Sequence, residues 1–337
     1  MRKLITVVIA IMLVFALSGC ESNIENVVAA NEEIAGEEAL PDVEVVPEVE
    51  VEPEDKLSII TSLYPQYDFA RSIVGDKADV ILILPPGVES HSFEPTPQDM
   101  VKLQNSDLFL YTGKEMEPWA YRLTGSINAT IVDLSEGIEL MDLDDHDHDH
   151  AHEDEHDDEL MDPHIWTDPN LAIVMVDNIL SSLKEIDEKN AEYYEENANT
   201  LKKALMDLDL EIRETLSKTT SKTILSGGHF AFGYFVERYG LTHMSPYEGF
   251  SPDAEPTPRR IAALIETIKE TDARAIFYEE LIDPKVSRVI SEETGIEMLL
   301  LHGAHNVTKE EFEAGKTYIT FMKENLERLK IGLGYDE

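Results

Sequence analysis

The chain has 337 residues, of which 42% are hydrophobic, and a formal net charge of −42. This size and hydrophobic fraction are typical of a globular protein with up to two domains. So acidic a chain lacks the basic face that nucleic acid requires, whereas its negative surface attracts divalent cations.

The N-terminus has the pattern of a bacterial export signal. Residues 1–19 contain Arg2 and Lys3, an apolar run and a Leu-Ser-Gly end, followed by Cys20. Cys20 is the only cysteine, which excludes a disulfide within one chain and thiolate zinc sites. The Leu-Ser-Gly-Cys sequence resembles a lipobox, in which the thiol is acylated and anchors the protein in the membrane. The alternative is an ordinary signal peptide with an incidental cysteine.

An acidic segment separates Cys20 from the folded part. Residues 21–55 contain 13 acidic residues, no basic residue and three prolines among repeated Val-Glu pairs. Like charges repel one another and proline stiffens the chain, so we predict an extended tether over residues 20–55.

Residues 56–187 are predicted to form the first lobe. Strands are expected at residues 57–62, 78–84, 107–111 and 129–134, with helices at 66–74 and 97–105. This alternation predicts a parallel sheet flanked by helices, in which ligands bind at the carboxyl ends of the strands. His91 follows the second strand in a loop stiffened by prolines.

A histidine-rich acidic loop follows at residues 142–159. Its 11 acidic residues alternate with five histidines, namely His146, His148, His150, His152 and His156. Such a segment has no apolar face to bury, so we predict a solvated loop that binds divalent cations weakly. A charged loop without metal is the alternative. Directly after it, Pro163 and Pro169 bracket His164 and Trp166, which is the composition of a fixed site.

The rest of the chain predicts a linker helix and a second lobe. A helix at 170–185 is followed by residues 188–218, a stretch without proline or glycine that would form one long helix between two lobes. Within 219–337, strands are expected at 223–226, 241–247, 275–278 and 298–301, and helices at 230–239, 258–271, 284–294 and 308–333. The predicted fold is α/β, with two lobes of parallel sheet and flanking helices joined by a long rigid helix.

Histidines recur at the predicted carboxyl ends of strands. His91, His229 and His302 follow strands, His164 follows a loop, and two glycines should place His229 at a helix start. His243 lies inside a strand and is expected to pack there. Four neutral imidazoles at one edge suit a tetrahedral Zn²⁺ site, and three with water also suffice.

Five segments together carry a family resemblance: residues 84–97, 104–119, 162–168, 227–235 and 251–258. In this order they resemble the zinc-binding lipoproteins of the cluster A-I solute-binding family, which are extracytoplasmic receptors of zinc ABC importers. The likeness runs from about residue 57 to residue 333. It implies two α/β lobes joined by a rigid helix, metal in the cleft between them, and ligand roles for His91, His164 and His229. A histidine-rich acidic loop before the second ligand is a feature of the zinc branch.

The fourth ligand departs from the family pattern. Manganese-binding members carry a carboxylate where His229 stands and an aspartate after the final strand, a place that falls on His302 here. We therefore predict His302 as the fourth ligand, with His305 or water as alternatives. We expect Asp162 and Asp168 to orient the His164 ring through hydrogen bonds without binding the metal themselves. The histidine-rich set favours Zn²⁺ over Mn²⁺, which prefers oxygen.

The predicted function is that of a monomeric receptor, lipid-anchored outside the bacterial cell membrane, which passes Zn²⁺ to an ABC permease. One alternative is the same fold binding manganese. Another is a metallohydrolase, but the His-Glu-x-x-His pattern of such enzymes occurs in the chain only at residues 152–156, inside the acidic segment predicted to be a solvated loop and not the helix that the motif requires. A third is a surface adhesin or passive zinc buffer, in which the acidic loop would supply most of the binding.

Overall fold

A computed structural model describes residues 56–142, 161–247 and 256–336. The predicted signal peptide, Cys20, the tether and the five histidines of the acidic loop lie outside the described residues. Within the described ranges, no helix combines the length and apolar character that a membrane span requires.

The first lobe contains a four-stranded parallel sheet in the order β2-β1-β3-β4. Its strands are β1 (Leu57–Thr61), β2 (Ala78–Leu82), β3 (Leu108–Tyr111) and β4 (Thr130–Asp133). Its helices are α1 (Tyr64–Val74), α2 (Pro97–Gln104), α3 (Gly113–Met116) and α4 (Pro118–Tyr121).

Strand β3 shows why this sheet is parallel and buried. All four of its residues are buried, and alternate side chains point to opposite faces. Leu108 and Leu110 pack into the main hydrophobic core. Phe109 and Tyr111 pack on the other face, in a second core with Trp119. Two covered faces require a continuous apolar run, which is what the sequence supplies.

Two long helices connect the lobes. A short 3₁₀ turn (Ile165–Thr167) leads into α5 (Pro169–Ile186), and a second one (Glu188–Asn190) leads into α6 (Ala191–Ser217). Helix α6 has 27 residues, which corresponds to about 40 Å at 1.5 Å per residue. It packs against α5, against α1 of the first lobe and against α11 (Tyr318–Leu333) of the second. This long helix agrees with the predicted linker.

The second lobe repeats the strand order of the first. Its strands are β5 (Thr223–Leu225), β6 (Thr242–Met244), β7 (Ala275–Tyr278) and β8 (Glu297–Leu300). The parallel pairs β5–β6 and β7–β8 are joined by a bridge between Ser226 and Phe277, which gives the order β6-β5-β7-β8. Its other helices are α7 (Gly233–Tyr239), α8 (Pro258–Lys269), α9 (Lys285–Thr294) and α10 (Lys309–Glu313).

Two predicted helices differ from the structure. The helix expected from residue 230 begins at Gly233, so His229 lies in a loop and not at a helix start. Phe230 and Phe232 are both buried, and their packing holds this segment outside the helix. The closing helix is divided into α10 and α11. Gly315, between them, adopts the left-handed conformation at φ 66° and turns the chain.

Candidate metal centre

Four histidines from both lobes meet in one cluster. His91 comes from the loop after β2, His164 from the turn before α5, His229 from the loop after β5, and His305 from the loop after β8. Their ring centroids lie between 4.8 and 5.9 Å apart. One potential ligand atom from each histidine lies within 4.8 Å of the others. The strand ends of the two sheets therefore bring together imidazoles that are distant in sequence.

The Nε2 atoms of this cluster are buried and lack hydrogen-bond partners among the described residues. The four atoms belong to His91, His164, His229 and His305. A buried polar atom without a partner costs free energy, so four together at one point need an explanation. A cation bound by all four lone pairs supplies one.

Three of the four rings contact a carboxylate through the opposite nitrogen, Nδ1. The pairs are His164–Asp162 at 2.6 Å, His229–Glu279 at 3.2 Å and His305–Glu280 at 3.2 Å. A carboxylate that accepts from Nδ1–H fixes the tautomer in which Nε2 carries the free lone pair. The same hydrogen bond makes the Nε2 lone pair a stronger donor to a metal.

Burial keeps three of the imidazoles in their neutral form. It lowers the pKa of His164 and of His229, and it lowers the pKa of His91 to about 2. Neighbouring histidines add to the effect at His91 and His164. A neutral ring is the metal-binding form, so these three rings need to release few protons to accept a cation.

Local backbone contacts fix the orientation of His164. Asp162 Oδ1 accepts from the His164 backbone N–H at 2.9 Å as well as from the ring. Two residues on, the Trp166 indole N–H donates to the Gly303 carbonyl oxygen of the second lobe at 2.8 Å. Asp162 therefore contacts His164 through both the ring and the backbone.

The predicted role of Asp168 differs from the structure. Its carboxylate accepts from the Asn170 backbone N–H at 2.8 Å and caps α5, with Pro169 at the first helical position. It also forms an ion pair with Arg238 at 3.1 Å. An aspartate directly before proline at a helix start is a typical N-cap. Asp168 therefore serves the helix and not the His164 ring.

The structure places His305, the alternative fourth ligand, in the cluster and places His302, the predicted one, outside it. The His302 ring stacks on Phe321 with centroids 4.1 Å apart, and its Nδ1 accepts from the Ala304 backbone N–H at 3.0 Å. Ala304 has φ 59°, an uncommon left-handed conformation for a residue with a Cβ. This turn directs His302 into the lobe and carries His305 into the cluster.

The sequence analysis missed Glu279 and Glu280. Both are buried carboxylates at the carboxyl end of β7, the edge at which the histidines lie. Glu280 accepts from the Gly303 backbone N–H at 2.7 Å in addition to contacting His305. Their position after a predicted strand was the signal that could have found them. His243 lies in β6 outside the cluster, where its ring stacks on Phe230 at 3.4 Å.

The donor set determines what this centre can do. Four nitrogen donors from protein side chains match the preferred coordination of Zn²⁺ and leave no open position for water or substrate. A catalytic zinc site keeps such a position open. The arrangement therefore suits tight binding and release of a metal ion.

Comparison with known sequences agrees with this chemistry. Residues 59–332 match the family described as Zinc-uptake complex component A periplasmic. High-affinity zinc uptake system protein ZnuA of Bacillus subtilis (strain 168) is 40% identical over 283 residues, covering 83% of this chain and 88% of that protein. Zinc-binding lipoprotein AdcA of Streptococcus pneumoniae (strain R6) is 34% identical over 283 residues. The match covers 82% of this chain and 55% of AdcA, so the chain spans about half of that relative.

Solved structures share the fold. The metal-dependent lipoprotein YcdH from Bacillus subtilis has a TM-score of 0.71 at 37% identity, with 82% of this chain and 99% of that chain covered. The Zn(II)-bound ZnuA-like domain of Streptococcus pneumoniae AdcA has a TM-score of 0.70 at 31% identity, with the same coverage. Laminin binding protein Lmb of Streptococcus agalactiae, described as having adhesin and metal transporting activity, has a TM-score of 0.72 at 31% identity, again over 82% and 99%.

These likenesses confirm the predicted α/β fold class and the family resemblance. A family match over residues 59–332 and a relative at 40% identity leave one assignment. The chain is a member of the zinc-uptake complex component A family of solute-binding proteins.

Proposed function

We propose that this protein captures Zn²⁺ outside the cytoplasmic membrane and delivers it to the permease of an ABC importer. The observation that carries the proposal is the convergence of four buried Nε2 atoms without partners, on His91, His164, His229 and His305. A donor set of four imidazoles favours Zn²⁺ over Mn²⁺, which prefers oxygen ligands. Membership in a zinc-uptake family supports the same cargo.

We also propose how the receptor is anchored to the membrane and how zinc is collected near the tight site. Acylation of Cys20 would anchor a monomer to the extracytoplasmic face of the membrane, and residues 20–55 would let the folded part reach the permease. The lobes would comprise residues 56–187 and 219–337, with the linker at 188–218. The acidic loop at 142–159 would collect zinc weakly beside the tight site. The lipoprotein name of the pneumococcal relative supports the anchor.

Metal analysis combined with competitive zinc titration tests this function. We expect one tightly bound zinc per wild-type chain and a loss of tight binding in His91→Ala, His164→Ala and His229→Ala. His243→Ala is the matched control, because that half-buried histidine lies outside the cluster. Deletion of residues 143–159 should keep the tight site. A passive buffer would instead lose nearly all its capacity on that deletion, which would contradict the proposal.

Adhesion is a second candidate, favoured by the structural likeness to Lmb. Retention of the purified protein on laminin-coated surfaces tests it, with zinc-loaded and zinc-free samples compared. Retention no greater than that of an unrelated acidic protein would rule adhesion out and leave zinc delivery unaffected.

A further inference from the structure

The residue after His305 reaches across the cleft between the lobes. Asn306 is fully buried, and its side-chain amide donates one hydrogen bond to the Pro85 carbonyl oxygen at 2.7 Å and another to that of Val88 at 2.8 Å. Pro85 and Val88 begin the loop that carries His91. One side chain of the second lobe therefore holds the ligand loop of the first.

Backbone contacts strengthen the same connection. The Gly87 N–H donates to the Val307 carbonyl oxygen at 2.8 Å. Gly87 has φ 87°, a conformation that glycine adopts without strain. The Asn306 side-chain oxygen accepts from the Val307 backbone N–H at 2.9 Å, so each polar atom of the amide is used. The two segments are thus joined by hydrogen bonds at adjacent positions.

The location of these bonds decides what they stabilise. They join residues of different lobes, so they contribute to the closed cleft and not to the fold of either lobe alone. Removing the amide would lose both hydrogen bonds to the Pro85 and Val88 carbonyl oxygens, and since both of these residues are exposed to water the loss is about that of the bonds themselves. His91 and His305 lie on the two segments, with ring centroids 5.4 Å apart.

We propose that Asn306 is a positioning residue that latches the His91 loop to the His305 loop across the cleft and thereby sets how fast zinc leaves. This inference rests on the proposed zinc-binding function. Zinc departure requires the ligands to separate, and separating His91 from His305 requires breaking the contacts of Asn306. The latch therefore acts on the dissociation rate more than on association.

The test is the zinc dissociation rate of the full chain, measured by stopped flow after mixing the loaded protein with excess chelator. Loss of both hydrogen bonds in Asn306→Ala should raise the rate by about tenfold to thirtyfold. Asn306→Ser keeps one donor and should give a smaller increase. It is also the milder variant should the alanine protein fold poorly.

Asn178 supplies the matched control. Its side-chain amide also donates to two carbonyl oxygens, those of Leu134 at 3.2 Å and Glu136 at 3.0 Å, but both belong to the first lobe. Asn178→Ala and Asn178→Ser should lower the melting temperature of the metal-free protein without changing zinc dissociation. Hydrogen exchange at the Gly87 amide of the loaded protein should accelerate in the Asn306 variants alone.

The outcomes separate the latch from the proposed function. Zinc dissociation within twofold of wild type in both Asn306 variants would overturn the latch while zinc binding stands. An equal rate increase in the Asn178 variants would also overturn it, because general loosening would then explain the effect. A wild-type protein that does not bind zinc tightly would overturn the proposed function and the latch with it.

Discussion

Replacing His305 with alanine should weaken zinc binding far more than replacing His302. The two histidines are separated by only two residues and are both almost fully buried. His305 lies in the four-histidine cluster, whereas His302 stacks on Phe321 at 4.1 Å. A comparison of the two variants therefore tests directly whether His305 or His302 is the fourth ligand.

The expected magnitude follows from the number of ligands. Apparent binding free energies of four-ligand structural zinc sites are about 10–16 kcal/mol near neutral pH. One ligand of four then contributes about 3–4 kcal/mol, which corresponds to an increase in Kd of about 10²–10³-fold. Glu280, which contacts His305 at 3.2 Å, could supply an oxygen ligand in its place. We therefore expect an increase in Kd near the lower end of this range.

Competition with a chromophoric chelator at pH 7.5 measures both Kd values, and thermal melting of the metal-free proteins shows whether each variant folds. His302→Ala should bind zinc as wild type does and melt at a lower temperature, because it loses its stacking on Phe321. A His302→Ala variant that weakens zinc binding as much as His305→Ala would refute the ligand assignment.

Three further predictions concern a glycine, a buried glutamate and metal removal. A Cβ at Gly233 would lie 2.3 Å from Asp162 Oδ2, so Gly233→Ala should displace the carboxylate behind His164 and raise the Kd for zinc by about 10–100-fold. Gly228→Ala, whose Cβ meets nothing within 4 Å, is the control in the same titration. Burial raises the pKa of Glu117 from 4.5 to about 8. The folded state then retains a proton that the unfolded state releases, so the unfolding free energy should fall by up to about 5 kcal/mol between pH 4.5 and 8. Other buried carboxyl groups such as Asp162 titrate in the same range in both proteins, so urea unfolding should show a smaller loss in Glu117→Gln than in wild type, and an equal loss in the two proteins would contradict the prediction. When zinc is present at 1,000 times its Kd, chelating it should lower the unfolding free energy by about 4 kcal/mol. Calorimetry that shows no decrease in melting temperature on chelation would contradict a zinc site in the folded protein.

The sequence was sufficient for the fold and for three members of the cluster. Their positions after predicted parallel strands indicated His91 and His229 as candidates, and the family resemblance implied their ligand roles. His164 was identified from its stiff proline-rich surroundings. The long helix was predicted because residues 188–218 contain no helix breaker.

The predicted roles that differ from the structure depend on backbone conformation, helix capping and tertiary contacts, which the hydrophobic periodicity of the sequence does not reveal. The choice between His302 and His305 depends on the left-handed backbone of Ala304, and alanine gives no sequence signal for that conformation. Asp168 was misassigned because its nearness to His164 outweighed the N-cap signal of the Asp-Pro pair. Glu279 and Glu280 were missed because their contacts with His229, Gly303 and His305 join loops that are distant in sequence.

The position of Trp166 gives the molecule an internal optical reporter. Its ring centroid lies 5.5 Å from that of His164 and 5.4 Å from that of His305. The chain has only two tryptophans, and the other, Trp119, belongs to a separate core. A paramagnetic ion such as Co²⁺ in the cluster should quench the Trp166 emission, and diamagnetic Zn²⁺, which binds nitrogen ligands more tightly, should displace it and restore the signal. Cargo exchange can therefore be followed by fluorescence without attaching a label.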